Sequence, residues 1–455
     1  MFEVFTVAIA VVVVGATVWG VVRANDTLHP LVYLMPMTGF LYVYMPVNQY
    51  QSGALQEYFS IAEITYVQGF NFVCVVGLVL GCLWGSRRFR RQSDRIDVFA
   101  FRATDADRTV LFQIGVLLGM IALGAYVYQL ANVGGFYAAY DNPKGGGWAA
   151  SGYIRDIDLL AVPSIVLIYL SRGEKRLALR HRILVGVISV PLLVHGLLSA
   201  RRGPTFLALS TLIGGWYLVR RRRPSLPTVA AGGTALGLLL LVLVTYRGQI
   251  YLGSSFLTGD LPSATEVVEE SLDRTTASSF GNEYMYGTYV VLNARDQAGH
   301  YWGKRYFTQL FVRPIPSSIW PSKYQDVGMT AITFNAGQLG TADRDKHPLI
   351  PSGSAPGFAG STYVEWGWGG PFFLFLLGWM YATMWRRSLV QGGIWTVVYT
   401  ILLATSAYFA AQSFIAVLFR LLLVGIPPVV LWYAFQPGSP RRLSREEAAP
   451  ASIPG

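Results

Sequence analysis

Charge is scarce in this chain. Only 13% of its 455 residues are Asp, Glu, Lys or Arg, against 53% hydrophobic ones, and the mean hydropathy is +0.41. A water-soluble globule needs more polar surface than that, so a soluble enzyme or nucleic-acid-binding domain is excluded. Cysteine is almost absent: Cys74 and Cys82 share one apolar run and cannot serve an external disulfide framework. The N-terminus, Met1-Phe2-Glu3, lacks the positive charge of a cleaved signal peptide, so its apolar run is expected to stay as a span. No internal repeat stands out, which weakens an inverted-repeat transporter plan. No His/Cys cluster suggests a bound metal, and no cofactor is expected.

What is abundant is apolar sequence in runs of about twenty residues, the length that crosses a bilayer. Such runs lie near 4–22, 29–47, 62–84, 109–130, 157–171, 183–200, 204–219, 228–246, 361–385, 394–411 and 414–435. The expected fold is therefore an all-α polytopic integral membrane protein with about eleven transmembrane helices, in a range of about 10–12. The net charge of +11 comes from cations directly beside these runs: Arg87, Arg88, Arg90 and Arg91; Arg172, Lys175, Arg176, Arg180 and Arg182; Arg220 to Arg223; Arg386 and Arg387; Arg441 and Arg442. Counted off alternately, all these clusters fall on one side, the positive-inside signature, which argues against a nucleic-acid partner. That places the N-terminus outside and the C-terminus inside. Four parts follow: helices 1–8 over 1–246, a large extracytoplasmic loop over 247–360, helices 9–11 over 361–435, and a disordered cytoplasmic tail over 436–455.

The outward face has three polar parts. The first, 131–156, carries Phe136-Tyr137-Ala138-Ala139-Tyr140-Asp141. Its aromatics suit an interfacial belt and sugar faces equally well, which makes Tyr140 a candidate substrate contact. The second is Arg201-Arg202-Gly203-Pro204, a cation pair at the outer end of a span, against the charge rule the rest of the chain obeys. Guanidinium groups bind phosphate oxygens in bidentate fashion and stay charged, so this pair suits a diphosphate at the membrane surface; the plainer reading is snorkelling to lipid headgroups. The third is the long loop, which opens with Arg247, a further candidate for diphosphate contact. Arg313 and Lys323 are candidates for phosphate or substrate contact, Trp320 for stacking, and His347, Glu283 and Asp326 for accepting a proton. Beyond the loop, Tyr363 and Glu365 enter the outer leaflet as candidate substrate contacts; a buried carboxylate needs a partner, and Arg420 lies at comparable depth, where it also suits a diphosphate.

Three stretches carry a family resemblance: Leu198-Ser199-Ala200-Arg201-Arg202-Gly203-Pro204, the segment from Phe311 to Lys323 with its Arg313-Pro314-Ile315-Pro316, and the segment from Gly360 to Pro371. They resemble the Ser-x-Arg-Gly-Pro, Arg-Pro-Ile-Pro-x-x-x-Trp-Pro-x-Lys and Gly-x-x-Tyr-x-x-Phe-Gly-x-x-Gly elements of Wzy-type oligosaccharide repeat-unit polymerases, which are related in plan to O-antigen ligases. This sequence has Trp366 where many polymerases carry Phe, and Pro348 where the ligase pattern carries Asn. The resemblance implies a GT-C-like architecture in the bacterial inner membrane. It also implies metal-independent glycosyl transfer between undecaprenyl-diphosphate-linked oligosaccharides as donor and acceptor, in company with a chain-length regulator and a flippase. By the same resemblance Arg202 and Arg313 correspond to the family's loop arginines and His347 to the ligase histidine. A lipid-linked-oligosaccharide flippase or transporter, and a ligase-like single-transfer enzyme, are the alternatives.

Overall fold

The structure is a computed structural model, and it describes residues 1–92, 104–142, 154–173, 175–246, 249–252, 263, 265, 266, 269, 283–298, 300–316, 319–329, 355–411 and 414–436. Among these residues every regular element is helical. The principal helices, in chain order, are α1 (Phe2–Val22), α2 (Pro30–Gln51, with a π turn at Phe40–Tyr44), α3 (Ile61–Gln92), α4 (Asp105–Val133), α5 (Ala161–Arg172), α6 (Leu179–Leu198), α7 (Arg202–Leu209), α8 (Leu226–Thr245), α9 (Glu283–Asn293), α10 (Gly357–Trp366), α11 (Gly370–Val390), α12 (Ile394–Ala411) and α13 (Phe414–Phe435). After α7 the chain stays helical through Ser210–Gly214 and Gly215–Val219.

Each expected span coincides with helix, and among the described residues seven helices are by themselves long and apolar enough to cross a membrane: Phe2–Val22, Pro30–Gln51, Ile61–Arg87, Asp105–Val133, Leu179–Leu198, Leu226–Leu243 and Val417–Phe435. Shorter apolar helices occupy Gly203–Val219 and Ile394–Ala410. The chain is a multi-pass membrane protein. The run read as 361–385 is broken, because Gly367 takes a positive φ of 54° that ends α10, and a short 3-10 turn over Gly367–Gly369 precedes α11.

Packing follows membrane rules. On α1 the buried residues Phe2, Thr6, Ile9, Val13, Ala16 and Gly20 recur at helical spacing. The opposite face, Val4, Val7, Val11, Val14, Val18 and Val22, is 54% to 67% exposed. In water such a valine face would aggregate; against acyl chains it is the expected surface. α8 is barer still, with open space around Gly232, Gly233 and Gly237. α3 and α11 approach backbone to backbone. Gly77, Gly81 and Gly85 form a stripe with a four-residue repeat, and Gly378 faces them from α11. A Cβ at Gly81 would run into the Phe375 carbonyl oxygen and lie 2.9 Å from Trp379 N, so backbone meets backbone, as small-residue interfaces allow. α5 is buried along almost its entire length, and Ser164 Oγ donates to Gly115 O of α4 at 2.6 Å.

The two ends of the bundle differ. At one, Thr27 Oγ1 donates to Pro224 O (2.8 Å), Arg223 Nη1 to Asn25 O (2.6 Å), Trp385 Nε1 to Asp26 Oδ2 (2.9 Å) and Tyr399 Oη to Leu28 O. Arg220 Nη2 also reaches Lys175 O there at 3.5 Å. These are the cation-rich loops of the sequence. The other end is built from the far ends of α5, α6 and α7 together with parts of the long segment between α8 and α10. That segment is less loop-like than its polarity implies. α9 within it is buried from Glu283 to Thr288 and again at Val290, Val291 and Leu292, and Tyr284 Oη donates to Gln68 Oε1 of α3 at 3.0 Å.

Candidate functional site: an arginine cluster at one end of the bundle

The site begins at the turn between α6 and α7. Ala200 adopts φ +46° and Arg201 N donates to Gly196 O at 2.8 Å, which reverses the chain within a few residues. Arg201 then stands at the N-cap of α7, its Nη1 3.3 Å from His195 Nε2, and its carbonyl accepts from Thr205 Oγ1 at 3.1 Å. Gly203 is required by its neighbour: a Cβ there would collide with the Tyr408 hydroxyl and lie 2.7 Å from Cε1 of the same ring. The glycine of the Arg-Arg-Gly-Pro element thus lets the head of α7 touch α12.

Tyr408 in turn carries Arg420 of α13, whose guanidinium carbon lies 4.6 Å from the ring centroid. Arg420 Nε is 3.9 Å from Asp156 Oδ1, and Arg313 Nη2 is 3.9 Å from Asp156 Oδ2. Arg313 follows the helical turns Lys304–Phe307 and Thr308–Val312, and its guanidinium carbon stands 5.1 Å from the Phe419 ring centroid. The three charged side chains are 15% to 19% exposed, open enough for a ligand to reach and enclosed enough to weaken screening by salt. Three stretches far apart in sequence, near Arg201, Arg313 and Arg420, therefore converge on one end of the bundle.

Lys323 serves this arrangement from behind. Its ammonium donates to Arg313 O (3.2 Å) and to Ile315 O, and the residue is 2% exposed. Burial first and the nearby Arg313 charge second hold its pKa below the usual lysine range. Asp326 is likewise committed locally, accepting from Trp320 Nε1 (2.5 Å) and Ser322 Oγ (2.7 Å). Those two bonds pull its carboxyl below the ordinary value, which makes it a weaker base. In this structure Lys323, Trp320 and Asp326 shape the segment that carries Arg313.

Other expected site residues lie apart from the cluster. Tyr140 is fully buried, its hydroxyl 3.0 Å from that of Tyr126 and its carbonyl accepting from Leu252 N at 2.7 Å, so it presents no face to a substrate. Tyr363 is 3% exposed with its hydroxyl 2.7 Å from Tyr66 Oη. Glu365 pairs with Arg305, not Arg420: Arg305 Nε lies 2.9 Å from Glu365 Oε1, and Gly303 N donates to Oε2 at 3.0 Å. Depth in the membrane matched Glu365 to Arg420, but the folded segment at 300–305 brings a nearer cation. Glu283 is buried in the first turn of α9. Arg202 is described only as the first residue of α7, and Arg247 and His347 lie outside the described residues.

Asp156 and Arg305 were missed. Asp156 and Asp158 stand two apart in the sequence, at the mouth of an apolar run, where an uncompensated acid is costly; that Asp-x-Asp spacing was the available signal. Among the described residues no three His, Cys, Asp or Glu side chains converge as a metal would require.

No protein-family profile, curated protein or solved structure matches the chain.

Proposed function

We propose that the chain is a glycosyltransferase that polymerises undecaprenyl-diphosphate-linked oligosaccharide repeat units on the outer face of a bacterial cytoplasmic membrane. The observation that carries this reading is the convergence of Arg313, Arg420 and the Arg201-led turn on one end of a membrane bundle, opposite the cation-rich loops. On this reading the arginine end faces outward and the basic loops face the cytoplasm, in accord with charge-determined topology. An acceptor sugar hydroxyl attacks the anomeric carbon of the donor glycan. The bond from that carbon to the diphosphate oxygen breaks, and its electron pair leaves with undecaprenyl diphosphate. Guanidinium groups stabilise the charge that develops on this leaving group. The hydroxyl proton passes to a base on the long loop, for which His347 is the proposed residue.

The test uses the purified full-length protein in detergent and chelator with a diphosphate-linked oligosaccharide lipid and no nucleotide sugar, the products being separated on a gel. A ladder spaced by one repeat supports the polymerase, provided Arg313→Ala abolishes it at normal protein abundance. An unchanged band from wild type with substrate bound refutes it and favours a transporter of the same lipid or a ligase awaiting its acceptor.

A further inference from the structure

We infer that the stretch from Trp302 to Val312, polar enough in sequence to read as part of an aqueous loop, is seated in the membrane at the arginine end of the bundle, with Phe307 and Phe311 against acyl chains. The inference stands on packing and is independent of the reaction proposed above.

Burial along this stretch is the reverse of what water selects. The chain is helical through Lys304–Phe307 and Thr308–Val312. Its exposed residues are Trp302, Lys304, Phe307 and Phe311, and the three aromatic ones are 67%, 55% and 62% exposed. The Phe307 and Phe311 ring centroids lie 5.0 Å apart, so the two form one patch. On the inner side Arg305, Thr308 and Gln309 are buried together with Tyr306 and Val312. A helix at a protein–water surface turns its polar residues outward and its apolar ones in. Here the polar side chains turn inward and the aromatic ones outward, as lipid requires and as the valine face of α1 already shows. Lys304, the cation on the outer side, stands at the head of the run, where its long stem lets the ammonium reach the headgroups.

The neighbours fix the depth. The Tyr306 ring packs on Phe414, the first residue of α13, and on Phe373 of α11, with centroids 5.6 Å apart in each case. At the other end of the run the Arg313 guanidinium carbon lies 5.1 Å from the Phe419 ring centroid. From Phe414 to Phe419 a helix rises about 7 Å, and Phe419 falls inside the apolar stretch Val417–Phe435. The run therefore descends beside α13 toward the membrane interior. At its foot the chain turns through Arg313-Pro314-Ile315-Pro316, where the carbonyls of Arg313 and Ile315 accept from the buried Lys323 ammonium. Backbone removed from water needs such internal partners. The neighbouring α11 likewise exposes Phe372 and Leu376.

The experiment places a nitroxide label at Phe307→Cys and at Phe311→Cys of the full-length protein in lipid nanodiscs. It compares the label's collisions with oxygen, which concentrates among acyl chains, and with nickel ethylenediamine diacetate, which stays in water. Val11→Cys on the valine face of α1 and Asp296→Cys beside Arg295 are the lipid and water references, while Cys74 and Cys82 are buried and leave the label to the introduced thiol. Both test sites are expected to follow Val11→Cys, with access to the nickel complex reduced several-fold relative to Asp296→Cys. A test site that follows Asp296→Cys overturns the inference. Low access to both reagents also overturns it, being the mark of a face covered by another part of the chain or by a second copy. Where a cysteine variant is not monodisperse, the wild-type chain in the same nanodiscs is photolabelled with an apolar carbene precursor and mapped by mass spectrometry. Modification of Phe307 or Phe311 supports the membrane seat, and its absence while α1 is labelled overturns it.

Discussion

Neutralising Glu365 should unseat the segment that carries Arg313. The carboxylate is 0% exposed and its partner Arg305 5%, with 2.9 Å between Oε1 and Nε. At an effective dielectric of about 20 the attraction at that distance is about 6 kcal/mol, most of it offset by desolvation of the two groups. Glu365→Gln keeps the shape and an acceptor for Gly303 N–H but leaves the Arg305 charge buried, for which the expected cost is about 3–5 kcal/mol. Arg305→Met in the same protein removes the opposing buried charge, so the double variant should recover most of that loss. Thermal unfolding in detergent, followed by fluorescence-detected size exclusion, should show Glu365→Gln lowered by on the order of 5 °C and the double variant near wild type. The same pair joins backbone bonds from Tyr301 N to Val364 O (3.0 Å) and Trp302 N to Glu365 O (2.8 Å) in docking this segment onto α10. Farnesyl diphosphate binding should therefore weaken with stability in the single variant. A Glu365→Gln protein within about 1 kcal/mol of wild type, with no coupling to Arg305→Met, would refute the reasoning.

Gly81→Ala should destabilise the bundle by about 1–3 kcal/mol, since the added methyl meets the α11 backbone, whereas Gly232→Ala on the bare face of α8 should be neutral or stabilising by up to about 1 kcal/mol; thermal unfolding of the two variants side by side checks the contrast. Asp326, whose carboxyl is held below its ordinary value of 3.8 by Trp320 first and Ser322 second, should lend its stabilisation to the 319–329 turn fully above that value and lose it as pH falls through the lower folded value. Hydrogen exchange of that turn at pH 5 and at pH 2.5, with Asp326→Asn as the reference, would contradict this if the two pH values matched after correction for intrinsic exchange.

The membrane-crossing helices were legible because a bilayer imposes run length, and run length survives in one dimension. α1 reads as a span even though its valines are poor helix formers in water, since lipid leaves the backbone no other way to satisfy its hydrogen bonds. α9 escaped that logic. Tyr284, Met285, Tyr286, Val290, Val291 and Leu292 are core residues in a helix of 11, too short to register as a span and embedded in polar sequence. The arginines near 201, 313 and 420 could be nominated singly, because a cation against the charge rule needs a reason. Which acid each would face could not be read. The Glu365 to Arg305 pair spans 60 positions and depends on how the 300–312 segment turns back, while Asp156 meets residues from two other parts of the chain. Depth along a helix axis is encoded in sequence; the angle at which two helices present their side chains is set by packing.

The bonds among the turns at 23–29 and 220–224 and the helical residues Trp385 and Tyr399 work like the spine of a book. The backbone carbonyls of Asn25, Leu28 and Pro224 accept from the side chains of Arg223, Tyr399 and Thr27, and Asp26 accepts from Trp385, so that end cannot splay without breaking several hydrogen bonds together. If the chain acts on a prenyl-diphosphate lipid as proposed, the bonded end holds the helices together and leaves the arginine end as the side for its entry. The pages turn where the text is.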